Sequence, residues 1–233
     1  MALTLTEERA LQVRASIDEA AKLAGRDPKE ILLCAASKMH TTEEVLLAKN
    51  APIDIFGESR VQEYLQKESD GAFCGKPVHF IGHLQTNKVR QIVGKVEMIE
   101  TVDSLRLLQK ISDEAVKLGV TQKILLEVNI GKEESKSGVF PEELFSLAET
   151  AMSLEGVELK GLMAIPPASL DEGVLRRNFA AMYRLFTDTK EKLCPRMEYL
   201  SMGMSGDYRY AILEGANIVR IGTAIFGARD YSK

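Results

Sequence analysis

The sequence predicts a (β/α)8 barrel, and three observations carry that prediction. Short, continuous apolar runs recur along the chain, the pattern of strands buried on both faces of a parallel sheet. Amphipathic helical stretches separate them. The runs number eight, and eight strand–helix units fit a chain of 233 residues. A doubly wound open sheet is the alternative. It explains eight runs less naturally, and the Gly-rich fingerprint it would need for a dinucleotide is missing.

The elements follow in order. An extra helix comes first: Thr4-Leu5-Thr6-Glu7 resembles a capping box, and Ala10, Val13, Ile17, Ala20, Ala21 and Ala24 recur at helical spacing before Gly25. The strand runs are Ile31 to Ser37, Ile53 to Gly57, Val78 to Ile81, Val96 to Thr101, Ile124 to Ile130, Val157 to Ile165, Met197 to Met204 and Ile218 to Phe226. Between the fourth and fifth runs, Leu105, Leu108, Ile111, Ala115 and Leu118 share a helical face; between the fifth and sixth, Leu144, Leu147, Ala148, Ala151 and Met152 do the same. Glu172 to Leu193 carries a like stripe. No linker interrupts the pattern, so residues 1–233 read as one domain.

Composition narrows the function classes. A hydrophobic fraction of 45% with 27% charged residues is that of a folded globule. Thirty basic and 34 acidic residues are interspersed for a net charge of −4, which offers no basic face to nucleic acid or an anionic membrane. The opening MALTLTEERALQVR does not read as a secretory leader, and no stretch approaches the ~20 apolar residues of a membrane span. Cys34, Cys74 and Cys194 are an odd, scattered set, as in a reducing compartment, so the expected location is the cytoplasm.

Barrel chemistry sits where strands end, at the C-terminal face. Lys38 follows the first apolar run, where partial desolvation favours a nucleophilic amine capable of a Schiff base; a lysine snorkelling to solvent is the structural alternative. After the seventh and eighth runs come Met202-Gly203-Met204-Ser205-Gly206-Asp207 and Arg220-Ile221-Gly222-Thr223. Glycines that permit close backbone approach, the hydroxyls of Ser205 and Thr223, and a helix from about Asp207 outline a phosphate cup. An amine opposite a phosphate cup suggests pyridoxal 5'-phosphate (PLP).

A family resemblance enters on these residues. Ala36-Ser37-Lys38, Phe56-Gly57-Glu58-Ser59-Arg60-Val61-Gln62-Glu63, His79-Phe80-Ile81-Gly82-His83-Leu84-Gln85-Thr86-Asn87-Lys88, Ser135-Lys136-Ser137-Gly138, Gly161-Leu162-Met163-Ala164-Ile165-Pro166, Leu200-Ser201-Met202-Gly203-Met204-Ser205 and Arg220-Ile221-Gly222-Thr223-Ala224-Ile225-Phe226-Gly227 resemble the signatures of the pyridoxal phosphate homeostasis proteins. The match runs from about Ile31 to Arg229, and that family's barrel is similar to the N-terminal domain of alanine racemases. The resemblance implies that Lys38 is the Schiff-base lysine, that Ser205, Gly222 and Thr223 hold the phosphate, and that Arg220 faces the pyridine nitrogen. It also places Met202, Met163 and Ile81 near the ring and Lys136 on a loop approaching the cofactor. Ser59 stands where the family usually has asparagine.

Arg220 then bears on activity. A guanidinium that never deprotonates leaves the pyridine nitrogen unprotonated and weakens the ring as an electron sink. Only six residues follow Gly227, so no second domain is expected to bring a base to the opposite face. The expectation is a cofactor carrier or buffer without substantial turnover, acting as a monomer on PLP, apo pyridoxal enzymes and amino acids. A slow amino-acid racemase and a cofactor-free Schiff-base lyase acting on a phosphorylated sugar are the alternatives. His79 and His83 are four apart but flank a strand-like segment with no completing ligand, so no metal site is expected.

Overall fold

The computed structural model describes residues 2–228; Arg229, at the end of the family resemblance, lies outside them. Eight parallel strands close on themselves in sequence order: β1 (Leu32–Ala36), β2 (Ile55–Glu58), β3 (Val78–Phe80), β4 (Met98–Val102), β5 (Gln122–Val128), β6 (Val157–Ala164), β7 (Tyr199–Ser201) and β8 (Ile218–Ile221). β8 pairs with β1, setting Cys34 beside Arg220, and β2 flanks β1 on its other side, setting Cys34 beside Ile55. Closure excludes the open sheet.

Side chains alternate between the barrel interior and the layer beneath the helices. Cys34, Ala36, Ile55, Ile81 and Ile218 form one interior cluster, Met98, Leu125 and Met163 a second, and Tyr199 packs against both. The alternate residues, among them Leu33, Ala35, Phe56, Phe80, Leu126, Leu162 and Val219, join the large outer core with the helices. Gly57 leaves room for the interior packing: a Cβ there would stand 2.6 Å from Cδ1 of Ile81 and 2.8 Å from Sγ of Cys34.

The helices are α1 (Leu5–Leu23), α2 (Thr42–Leu46), α3 (Val61–Ser69), α4 (Leu105–Leu118), α5 (Leu144–Ser153), α6 (Glu172–Lys192), α7 (Tyr208–Leu213) and α8 (Thr223–Phe226). The capping box of α1 forms as its sequence predicts: the Glu7 amide donates to Thr4 Oγ1 and the Thr4 amide donates back to the Glu7 carboxylate. α1 lies against α7 and α8 through Ala10, Val13, Ile17, Ala20 and Ala21. Most strand ends fall within two residues of the sequence pattern, and two runs differ more. The run to Phe226 divides at Gly222, where β8 gives way to α8, and the run from Met197 to Met204 is strand only at Tyr199–Ser201. Between β3 and β4 a 3-10 segment, Thr86–Gln91, replaces a full helix.

Candidate functional site

Lys38 lies two residues beyond Ala36, in step with the inward-facing Cys34 and Ala36. The backbone on both sides of it is held. The Ser37 amide donates to Gly57 O at 3.0 Å, Lys67 Nζ donates to Ser37 O at 2.7 Å, and Ser37 Oγ donates to Glu58 Oε1 at 2.6 Å. On the far side the Met39 amide donates to Glu63 Oε2 at 2.7 Å, and Met39 itself turns at φ 64°. Lys67 and Glu58 are buried and 2.6 Å apart. Burial pushes the Glu58 carboxyl up, against the pull of Lys67 and Ser37. α3 and β2 thereby fix the point from which the Lys38 side chain leaves.

That side chain lines a cavity of about 520 Å³ at the barrel mouth, with Ser59, Ile81, Thr101, Glu127 and Lys136 in its wall and Arg60 and His83 at its rim. Two wall groups lack hydrogen bonds. Ser59 Oγ is buried without a partner among the described residues. The Glu127 carboxyl, on a residue only 6% exposed, accepts none from any described residue. Burial first, and then the Asp103 charge, raise its pKa to about 7, while Arg220 pulls the other way. Lys136 pairs with Glu133 and donates to Pro166 O at 3.4 Å, and Asn129 Nδ2 donates to the carbonyls of Glu133 and Lys136 to shape its loop.

Deeper in the barrel, four strands supply a chain of polar groups. Arg220 Nη1 donates to Ser201 Oγ at 2.6 Å, and Nη2 donates to Ala164 O at 3.0 Å. Ser201 Oγ donates to Glu100 Oε2 at 2.6 Å, while His79 Nδ1 lies 2.6 Å from Glu100 Oε1. All four residues are buried. Burial drives the Glu100 carboxyl upward, yet His79, Arg220 and Ser201 together outweigh it and hold Glu100 below the usual carboxylate range. His83 is elsewhere, exposed at the rim beside Asp103, so the two histidines serve separate pairs.

The remaining residues singled out in the sequence divide. Met163 is fully buried inside the barrel with Met98 and Leu125. Met202, one step past the inward Ser201, is fully buried in the layer between strands and helices. Ser205, Gly222 and Thr223 form the rim after β7 and β8: the Ala224 amide donates to Ser205 Oγ at 3.5 Å, and the Gly222 backbone lies so close to β1 that a Cβ would meet Ala36 O at 3.0 Å. Gly203, at φ 92°, brings this loop onto α7, since a Cβ would stand 2.6 Å from that of Ala211. Ser205 also borders a separate groove of about 590 Å³ against α1. Asp207, raised by burial, accepts from the Met204 amide at 2.6 Å and closes the loop.

The sequence reading overlooked Glu127 and the Glu100 chain. A signal was present: Glu127 is a carboxylate flanked by apolar residues of its strand run, and Glu100 stands with Glu97 in the run from Val96 to Thr101, positions in which buried acids are rare unless paired or functional.

A closed parallel barrel with a half-buried lysine at the end of β1 and hydroxyl- and glycine-bearing loops after β7 and β8 defines the alanine racemase N-terminal-domain class, and the model of that domain matches residues 12–230. Within it, the chain belongs to the pyridoxal phosphate homeostasis protein family. It is 40% identical over 224 residues to the pyridoxal phosphate homeostasis protein of Aquifex aeolicus, covering 96% of this chain and 98% of that one. The protein of that name from Escherichia coli K12 is 39% identical over 225 residues, covering 95% and 96%. Among solved structures, PipY of Synechococcus elongatus PCC7942 with PLP bound superposes with a TM-score of 0.78 at 32% identity, covering 91% of this chain and all of that one. An alanine racemase from Clostridium difficile 630 shares the fold at a TM-score of 0.74 and 17% identity, with 94% of this chain matching 56% of that enzyme.

Proposed function

We propose that this protein binds PLP covalently on Lys38 at the barrel mouth and serves intracellular PLP homeostasis by holding the cofactor and giving it up, rather than by turning over a substrate. The observation that carries the reading is the cavity: a lysine amine shares a space of about 520 Å³ with a buried hydroxyl and a buried carboxyl that lack hydrogen-bond partners among the described residues. Unsatisfied polar atoms in such a wall fit a polar ligand. Bound PLP supplies an aldehyde that amines take up and release reversibly, and a ring that stores electrons when its nitrogen is protonated.

Each residue then has a task. The clamps on Ser37 and Met39 aim Lys38. Ser205, Gly222 and Thr223 hold the phosphate by hydroxyls and close backbone approach. Arg220, anchored by Ser201 and Ala164, keeps a fixed positive charge toward the pyridine nitrogen and withholds a proton from it. Ile81 bounds the ring side of the cavity, Met163 lies in the barrel interior and Met202 in the outer layer, and Ser59 and Lys136 meet polar edges of the cofactor. A cytoplasmic setting fits, as no helix among the described residues is long and apolar enough to cross a membrane.

The slow racemase remains the competing reading, because Glu127 puts a carboxyl in the same cavity as Lys38. The test is the absorption spectrum of the purified protein with PLP before and after borohydride, followed by peptide mapping. A near-visible band that reduction fixes to Lys38 is expected; attachment at Lys136 would overturn the assignment. Chiral chromatography over an amino-acid panel separates the two activities, and turnover near the ~10 s⁻¹ typical of enzymes would favour the racemase.

A further inference from the structure

We propose that Glu127 is the proton carrier for amine exchange in this cavity, taking protons from an incoming primary ammonium, such as that of an amino acid, and delivering them to the departing Nζ of Lys38. This rests on Lys38 being the attachment point. Glu127 is a buried carboxyl in the wall of the cavity that Lys38 lines, and no described residue donates a hydrogen bond to it. A group left in that state needs a partner that enters the cavity. The other buried acids of the mouth and interior are engaged: Glu58 through Oε1 with Lys67 and Ser37, its Oε2 lacking a partner among the described residues and lying outside this cavity's lining, and Glu100 through both oxygens with His79 and Ser201.

The exchange has a definite balance. With the double-bonded nitrogen protonated before and after the exchange, the incoming ammonium sheds two protons as it forms its double bond to the aldehyde carbon, and Nζ gains two as it leaves that carbon and becomes an ammonium. No electrons are gained or lost. A carboxylate in the wall can accept a proton from one nitrogen and return it to the other. Burial, more than any charge, lifts its affinity for protons into the neutral range; Asp103 on the β4 side adds to it, Arg220 on β8 lowers it, and Lys38, Lys136, His83 and Arg60 complete the charged lining. A carboxyl balanced near pH 7 can both take and give.

The experiment uses PLP-loaded protein and glycine as the amine, following the spectral change from pH 5 to 9 in the wild type, Glu127→Gln and Glu127→Asp. The wild-type rate should rise as pH crosses about 7, in addition to the gradual rise from the ionisation of glycine itself. Glu127→Gln, loaded with PLP to the same borohydride-trapped occupancy as the wild type, should be at least tenfold slower and keep only the gradual rise. Glu127→Asp should restore the step. An unchanged rate and pH profile in Glu127→Gln would overturn the proposal while leaving Lys38 in place. Failure of borohydride to trap PLP on Lys38 in the wild type would overturn both.

Discussion

Glu100 and Glu127 stand on neighbouring strands, both point into the barrel and both are buried, yet burial has opposite outcomes for them. In the middle of the barrel, Glu100 is met by His79, Ser201 and Arg220 and stays ionised below its usual range. At the mouth, Glu127 meets no donor among the described residues and is pushed up, chiefly by burial, to about 7. Burial is common to the two, so the difference lies in the partners. A carboxylate whose lone pairs are filled by the fold is part of the fold, whereas one left open at a cavity is available to whatever the cavity receives.

The largest effect should come from breaking the satisfied side of this pair. Glu100→Ala leaves Arg220 buried without its carboxylate and removes the acceptor for Ser201 and His79, so a loss of about 3–5 kcal/mol is expected in urea or thermal unfolding. A loss below about 1 kcal/mol would mean that water fills the gap. The sign with pH follows. A carboxyl whose folded pKa lies below its unfolded value stabilises the protein above the unfolded pKa and loses that contribution as pH falls through the folded one. Glu100→Gln should therefore flatten the acid limb of the stability profile.

Glu127 should behave in the opposite sense. Its folded pKa is raised from 4.5 to about 7, so the folded state holds the proton more tightly than the unfolded chain does. Its contribution is complete at or below the unfolded value and is lost as pH rises to about 7. At about 1.4 kcal/mol per unit, Glu127→Gln should gain roughly 3–3.5 kcal/mol at pH 8 and nothing at pH 4. Melting curves of the cofactor-free protein at the two pH values read this directly. Equal stability of the two proteins at pH 8 would show that the ionised carboxylate is already solvated at the mouth.

The same contrast explains what the sequence conveyed. All eight strands were legible because a parallel strand covered on both faces is a continuous apolar run, whatever its neighbours are. Their ends were less so: Ile218 to Phe226 is apolar throughout, and only Gly222 marks where strand becomes helix. Within the site, Lys38 could be placed because it follows a strand end, and Ser59, Ile81 and Lys136 through the family resemblance; the fold brings all four into one cavity. Glu127, Glu100 and Ser201 could not, because their roles depend on which side chain of another strand lies opposite. The face of Met202 was equally hidden, since a single step in strand parity moves it from the interior to the outer layer.

The smallest stability effect is expected at the residue that matters most for binding. Lys38 is only half-buried, belongs to neither apolar interior cluster, and has its backbone flanked by hydrogen bonds linking Ser37 and Met39 to Gly57, Glu63 and Lys67. Lys38→Ala removes a flexible stem at a cavity wall and leaves that clamp intact, so the melting midpoint without cofactor should correspond to a change within about 0.5 kcal/mol. Covalent attachment of PLP should vanish in the same protein, and with it the near-visible band. The two readouts together extend the contrast between middle and mouth: a change that empties the mouth of its chemistry leaves the barrel standing, whereas one that removes a partner from the middle does not. A Lys38→Ala protein that melts as low as Glu100→Ala would show that the lysine is itself a structural member of the interior and that the boundary between the two regions lies higher in the barrel than the cavity marks it.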